Sequence, residues 1–152
     1  MSGLARLALP LVAVTALSAC ALDPNSSYVA QVQHPTDPFV LGHVVAEFAA
    51  LRLPPRSAIA LDPTPEDQSG NTVTPALARA LRERGFAVVE GSQPGPAGAH
   101  RLRYLVTPLD NGDLVRLTLD GSTQGARFLV RNTAGGLQSG GPFTMTQAEA
   151  AL

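Results

Sequence analysis

The sequence contains no lysine and no tryptophan, and it has one cysteine in 152 residues. All eleven basic residues are arginines, and twelve acidic residues bring the formal net charge to −1. This near-neutral charge argues against a nucleic-acid-binding protein that works through a basic surface, and an aromatic content of 5% argues against a base-stacking platform. The lone cysteine excludes an internal disulfide framework and a cysteine-based zinc site. We therefore expect no direct binding of nucleic acid.

Residue patterns that carry enzyme chemistry are also missing. The three histidines, His34, His43 and His100, are not spaced as metal ligands, and no matching set of carboxylates accompanies them. The sequence has neither the Gly-x-Ser-x-Gly turn of serine hydrolases nor a phosphate-binding loop that ends in Gly-Lys. We therefore expect a protein without catalytic residues, metal or bound cofactor.

The first twenty residues have the pattern of a bacterial lipoprotein signal. Residues 7–16 form an apolar run that is too short to span a bilayer as a helix. Directly before Cys20 come Leu17, Ser18 and Ala19. Leu-Ser-Ala-Cys is typical of a lipobox, in which the chain is cleaved before the cysteine and the thiol is acylated. We expect residues 1–19 to be removed and the lipid on Cys20 to anchor the protein stably in a membrane.

A short polar segment separates this anchor from the rest of the chain. Residues 20–36 mix Pro, Asp, Ser and Gln with a few apolar residues, so we expect a lipidated tether. The residue after Cys20 is an alanine, and an aspartate there would favour inner-membrane retention, so the anchor is expected in the outer membrane. Tyr28 and Val32 fall on one face of an extended chain, which suits strand addition to the sheet of a partner. The alternative is a solvated linker.

Two helices are predicted from local signals. Asp37 is a suitable N-cap, Pro38 suits a first helical turn, and the proline pair at 54–55 ends the segment. Within it, apolar residues recur with helical spacing at Leu41, Val44, Val45, Phe48 and Leu51. A Thr-Pro pair at 74–75 begins the second helix in the same way, and Gly85 is typical of a helix end.

The remaining segments predict strands. Residues 57–61 and 86–89 are short apolar runs, and three later segments alternate apolar and polar residues. An Asn-Gly pair at 111–112 marks a hairpin between the first two of these. Clean alternation gives a sheet with one buried and one solvated face. The predicted fold is therefore α+β, a two-layer sandwich in which two helices pack on one face of a small, mostly antiparallel sheet.

The domain boundaries follow from these elements. We expect a globular domain over residues 37–131 and a Gly-rich C-terminal extension over 132–152. Phe143 and Met145 in that extension suggest one further strand or a contact with a partner.

Five arginines of the alternating segments are expected to share the solvated face of the sheet. They are Arg101, Arg103, Arg116, Arg127 and Arg131. One interpretation is a surface that contacts an acidic partner. The other is a solvated face that charge keeps soluble. With Tyr28 and Val32, the first four of these arginines are the candidate partner contacts.

Several stretches of the chain occur together in an informative order. They are the lipobox ending at Cys20, LRLPP at 51–55, LARALRERGFAVVE at 77–90, LRY at 102–104 and LVRLTL at 114–119. In this combination the sequence resembles the TrbH-type conjugal transfer lipoproteins. These are encoded with the mating-pair-formation components of plasmid type IV secretion systems.

The resemblance implies a non-enzymatic lipoprotein on the outer-membrane side of a conjugation channel, facing the periplasm. Its expected role is to scaffold or stabilise the channel, with TrbG-like and TrbI-like proteins as partners. Cys20 is the functional position that transfers from this family.

Two rival classes remain open. One is a general envelope lipoprotein that regulates a cell-wall synthase or pilots a secretin. The other is a ligand-binding lipoprotein, which would need a cavity between helices and sheet that so short a domain has little room to enclose.

Overall fold

The computed structural model describes residues 28–29, 37–62, 72–90 and 95–147. The described helices are α1 (Pro38–Arg52) and α2 (Val73–Glu83). The strands, in chain order, are β1 (Tyr28–Val29), β2 (Ala58–Leu61), β3 (Ala87–Val89), β4 (His100–Leu109), β5 (Gly112–Leu119), β6 (Thr123–Arg131), β7 (Leu137–Ser139) and β8 (Thr144–Gln147).

A single sheet joins these strands in the order β3-β2-β4-β5-β6-β7, with β1 also beside β4 and β8 also beside β6. β1 and β2 run parallel to β4, and β2 runs parallel to β3. All other pairs are antiparallel, including the long ladders that join β4, β5 and β6. The predicted α+β fold with a mostly antiparallel sheet is therefore confirmed.

Alternate residues of the central strands form the inner face of the sheet, the face toward the helices. Its buried pairs across β4 and β5 are Leu102–Leu119, Tyr104–Leu117 and Val106–Val115. The helices bury the apolar side chains of Leu41, Val44, Val45 and Phe48 from α1 and Leu77, Ala78 and Leu81 from α2 in the same core. The two helices approach closely at Gly42, where a Cβ would lie 2.9 Å from the carbonyl oxygen of Ala76.

α1 begins and ends where the local signals predict. The Asp37 carboxylate accepts hydrogen bonds from the backbone N–H groups of Phe39 (2.9 Å) and Val40 (3.3 Å), and Pro38 occupies the first turn. The helix ends at Arg52, two residues before the proline pair.

Asp37→Ala should lower the free energy of unfolding by about 1 kcal/mol, because two N–H groups at the start of α1 lose their acceptor. Thr72→Ala is the matched control, since Thr72 holds the same position before α2 and its side chain makes no capping hydrogen bond. It should cost less than about 0.5 kcal/mol. Urea denaturation of both variants measures the difference, and equal losses would contradict a capping role for Asp37.

The expectation that Arg127 and Arg131 share the solvated face is wrong. Leu119 pairs with Thr123 across a three-residue turn, so every odd-numbered residue of β6 lies on the inner face. Arg127 is opposite Val115, and its side chain is only 10% exposed. Arg131 lies on the same inner side and forms an ion pair with the buried Asp113. The inward-facing residues of β6, whose position we call the phase of the strand, are therefore shifted by one from the predicted set.

The segment after residue 131 contributes two strands to the sheet. β7 pairs with residues 129–131 of β6, and β8 pairs with residues 123–126, so both lie along the same side of β6. The Phe143 ring packs against the Phe48 ring with a centroid separation of 5.6 Å. The sheet thus continues through the region expected as a C-terminal extension.

Candidate interaction surfaces

The residues of the predicted anchor, Leu17, Ser18, Ala19 and Cys20, lie outside the described residues, and so does Val32. Tyr28 is described as part of β1, where it pairs with Leu105 while Val29 pairs with Val106. At these two residues the tether pairs with the chain's own sheet. Because β1 runs parallel to β4, the chain enters β1 from the Arg103 end of β4.

The outer face of the sheet, away from the helices, carries three of the candidate arginines. We call Arg101, Arg103 and Arg116 the outer arginine patch. Arg101 binds the Asp62 carboxylate through Nη2 (2.8 Å) and Nε (3.1 Å). Arg103 and Arg116 lie diagonally across β4 and β5 and form no ion pair with any described residue. The predicted placement of these three arginines on one face is confirmed.

Apolar side chains surround this patch on the outer face. Leu105 pairs with Arg116, and Leu114 pairs with Phe128 on the neighbouring strand. These three apolar side chains are half-buried. The outer face is therefore mixed, with two cations that no described carboxylate pairs with beside apolar surface. It is suited to a partner that offers both carboxylates and apolar contacts.

Arg127 belongs to a different cluster, on the inner side. Its guanidinium binds the Glu47 carboxylate of α1 through two contacts, Nη1–Oε2 (2.7 Å) and Nη2–Oε1 (3.2 Å). The same guanidinium lies 4.1 Å from the ring centroid of Phe143. Its Nε is buried and has no hydrogen-bond acceptor within the described part of the chain. A bidentate ion pair and a cation–π contact together hold this side chain in one position.

This cluster forms one wall of a shallow groove of about 370 Å³ between the end of α1 and β8. We call it the α1–β8 groove. Its lining residues are Glu47, Leu51, Arg52, Arg127, Pro142, Phe143 and Met145. The lining therefore contains both apolar and charged side chains. Leu51, which the helical spacing predicts to be buried, is 62% exposed here.

Some residues of this groove can be recognised in the sequence, but their assembly into one groove cannot. Glu47 binds Arg127, a residue 80 positions away in the sequence. Phe143 and Met145 were recognisable as apolar residues in a Gly-rich segment. Their contact with α1 has no local signal, because it depends on the pairing of β8 with β6.

Other charged side chains form further contacts. His100 Nδ1 lies 2.7 Å from the Asp120 carboxylate, and Arg82 binds Glu90 at 2.7 Å. Across the described ranges, no three His, Cys, Asp or Glu side chains come together as a metal site. None of the described helices is long and apolar enough to cross a membrane.

A family model described as conjugal transfer protein TrbH matches residues 22–149, which include every described element and both surfaces. The searches of curated proteins and of solved structures return no match.

Proposed function

The chain belongs to the TrbH family of conjugal transfer proteins, and from this membership we propose that it is a non-enzymatic lipoprotein of a plasmid conjugation apparatus. In this proposal it is anchored in the outer membrane through Cys20, faces the periplasm, and scaffolds the mating-pair-formation part of a type IV secretion system. The family match is the observation that carries the conjugal role. The Leu-Ser-Ala-Cys sequence at 17–20 supports the lipid anchor.

The position of β1 supports a short-range scaffold. Eight residue steps separate Cys20 from Tyr28, and a fully extended chain covers about 28 Å in that number. A lipid on Cys20 would therefore hold β4 and its neighbours within roughly that distance of the membrane surface. A domain on such a tether is suited to contacts with proteins that are themselves close to the membrane.

The outer arginine patch supports a role in docking. Arg103 and Arg116 are cations that no carboxylate of the described residues neutralises, and half-buried apolar side chains lie beside them. Charge complementarity of this kind favours an acidic partner surface and speeds its association. We propose the TrbG-like and TrbI-like proteins of the same apparatus as these partners.

Cys20→Ser should move the protein from the membrane fraction to the soluble periplasmic fraction, because the hydroxyl cannot be acylated in place of the thiol. Ser26→Ala, a change in the same tether that keeps the thiol, is the matched control and should stay in the membrane fraction. Fractionation of donor cells, followed by detergent pull-down of each variant, measures anchoring and partner recovery together.

Two results would count against the proposal. Retention of Cys20→Ser in the membrane fraction would exclude anchoring through this residue. Recovery of a cell-wall synthase or a secretin without any conjugation-channel protein would favour the rival class, a general envelope lipoprotein.

A further inference from the structure

The apolar stripe of α1 extends beyond the part of the sheet that covers it. Phe48 is fully buried against Gly125 and Phe143, but Leu51, one turn later on the same stripe, is 62% exposed. Leu51 lines the α1–β8 groove together with Met145. An apolar position that the chain's own sheet leaves uncovered, beside an existing groove, is a candidate contact point for another chain.

β8 provides an open strand edge at the same place. It pairs with β6 along one side, from Thr144 opposite Ala126 to Gln147 opposite Thr123. Along its other side, no strand of the described chain pairs with it. In an antiparallel ladder every second residue directs its N–H and C=O away from the neighbour. On this side, these groups of β8 therefore have no strand partner among the described residues.

The side-chain direction along β8 connects this edge to the groove. Met145 pairs with Gly125 on the inner face and lines the groove. A strand added beside β8 would share its pleat, so alternate side chains of the added strand would point toward Leu51. About 370 Å³ is near the lower end of the range for binding pockets, roughly 300–1,000 Å³, which suits a few side chains.

The charges of the groove indicate which kind of segment fits. Glu47 and Arg127 neutralise each other, whereas Arg52 forms no ion pair with any residue that the structure describes. Among the described residues, the groove therefore carries one positive charge without an ion-pair partner, at its α1 end. A second copy of this chain would add a second Arg52 to the shared edge, whereas an acidic side chain would neutralise the first.

We propose that the open edge of β8 and the α1–β8 groove bind an extended segment of a different protein by strand addition. In this segment apolar side chains alternate along the strand and enter the groove, and an Asp or Glu lies beside Arg52. The assignment of that protein to the transfer apparatus rests on the proposed function, but the chemistry of the segment does not.

Site-specific photo-crosslinking in mating donor cells tests this proposal with the full-length chain. The photo-reactive residue p-benzoylphenylalanine replaces Leu51 in one strain and Phe39 in a control strain. Phe39 is the matched position, because it lies on the same helix and is 67% exposed but does not line the groove. We expect light to link the Leu51 position, and not the Phe39 position, to a second protein. Mass spectrometry should map the link to a contiguous segment of alternating apolar residues with an acid.

A charge reversal then tests the role of Arg52. With the photo-reactive residue at position 51, Arg52→Glu should reduce the adduct roughly tenfold, because attraction becomes repulsion. Arg84→Glu is the control, since Arg84 is also exposed at a helix C-terminus and also lacks an ion pair with described residues. It should leave the yield unchanged. Circular dichroism of each variant verifies that the fold is retained.

Four results would overturn the proposal. These are an adduct between two copies of this chain, no adduct at position 51, equal adducts at positions 39 and 51, and a yield that Arg52→Glu does not lower.

The identity of the linked protein separates this proposal from the proposed function. An adduct with a segment of a cell-wall synthase would support binding at the α1–β8 groove and contradict the proposed conjugal function. Channel proteins that co-purify without an adduct would do the reverse.

Discussion

Gly125→Val should lower the free energy of unfolding by about 3 kcal/mol or more, because it forces extra atoms into a filled part of the core. A Cβ at Gly125 would lie 2.4 Å from Cε2 of Phe48, and valine adds two methyl groups beyond it. Phe48 cannot move aside easily, because its side chain is fully buried and packs against Phe143. A domain of this size is stabilised by roughly 5–15 kcal/mol, so a large part of the margin is lost.

A second substitution tests whether Phe48 is the cause. Phe48→Ala alone should cost about 3–5 kcal/mol, since it removes a fully buried ring. In the double variant the valine occupies part of the vacated space. The combined loss should therefore be smaller than the sum of the single losses by about 1–2 kcal/mol.

Gly141→Val is the control for the glycine change itself. A Cβ at Gly141 meets no atom within 4 Å, so this variant should change the stability by less than about 0.5 kcal/mol. Urea denaturation followed by circular dichroism measures all four proteins. Additive losses in the double variant would show that Gly125 is required for a reason other than space for Phe48.

Gly125 also explains why the phase of β6 could not be predicted. Both sets of alternate residues in this segment contain apolar side chains, and the set with Ala126, Phe128 and Val130 is the more apolar. The chain nevertheless places the other set inward, because Leu119 pairs with Thr123 and Gly125 then leaves room for the Phe48 ring. Strand alternation predicts that two faces exist, but turn length and packing against α1 decide which face is inside.

The helices were predictable because their signals are local. The adjacent residues Asp37 and Pro38 begin α1, and Gly85, with a φ of 88°, follows the end of α2. Each of these effects involves hydrogen bonds or backbone angles of neighbouring residues. Both helices could therefore be predicted close to their observed bounds.

The candidate surfaces likewise contain features that local patterns predict and features that they do not. Alternation along β4 and β5 was sufficient to place Arg101, Arg103 and Arg116 on one face. By contrast, β1 joins β4 although more than 70 residues separate them in sequence, and Arg127 reaches Glu47 across 80 residues. Such contacts depend on which strands become neighbours, and single-residue patterns do not contain that information.

Glu47→Gln should lower the free energy of unfolding by about 2 kcal/mol, because it leaves the guanidinium of Arg127 buried without its carboxylate. Breaking a fully buried pair costs about 3–5 kcal/mol, and we expect less here because the Glu47 side chain is 44% exposed and water can approach it. Glu83→Gln is the matched control. It removes the same charge from the surface ion pair between Glu83 and Arg79, whose two side chains are each more than half exposed. This change should lower the free energy of unfolding by less than about 0.5 kcal/mol.

The double variant Glu47→Gln, Arg127→Met separates the net contribution of this pair to stability from the destabilisation caused by removing one partner. Methionine removes the uncompensated charge and retains contact with Phe143, so most of the loss should be recovered. In that case the pair contributes little net stability, and its role is to select which residues of β6 face inward. A slip by one residue would move Arg127 to the outer face and away from Glu47. If instead Glu47→Gln is as mild as Glu83→Gln, the pair neither stabilises the domain nor selects this phase.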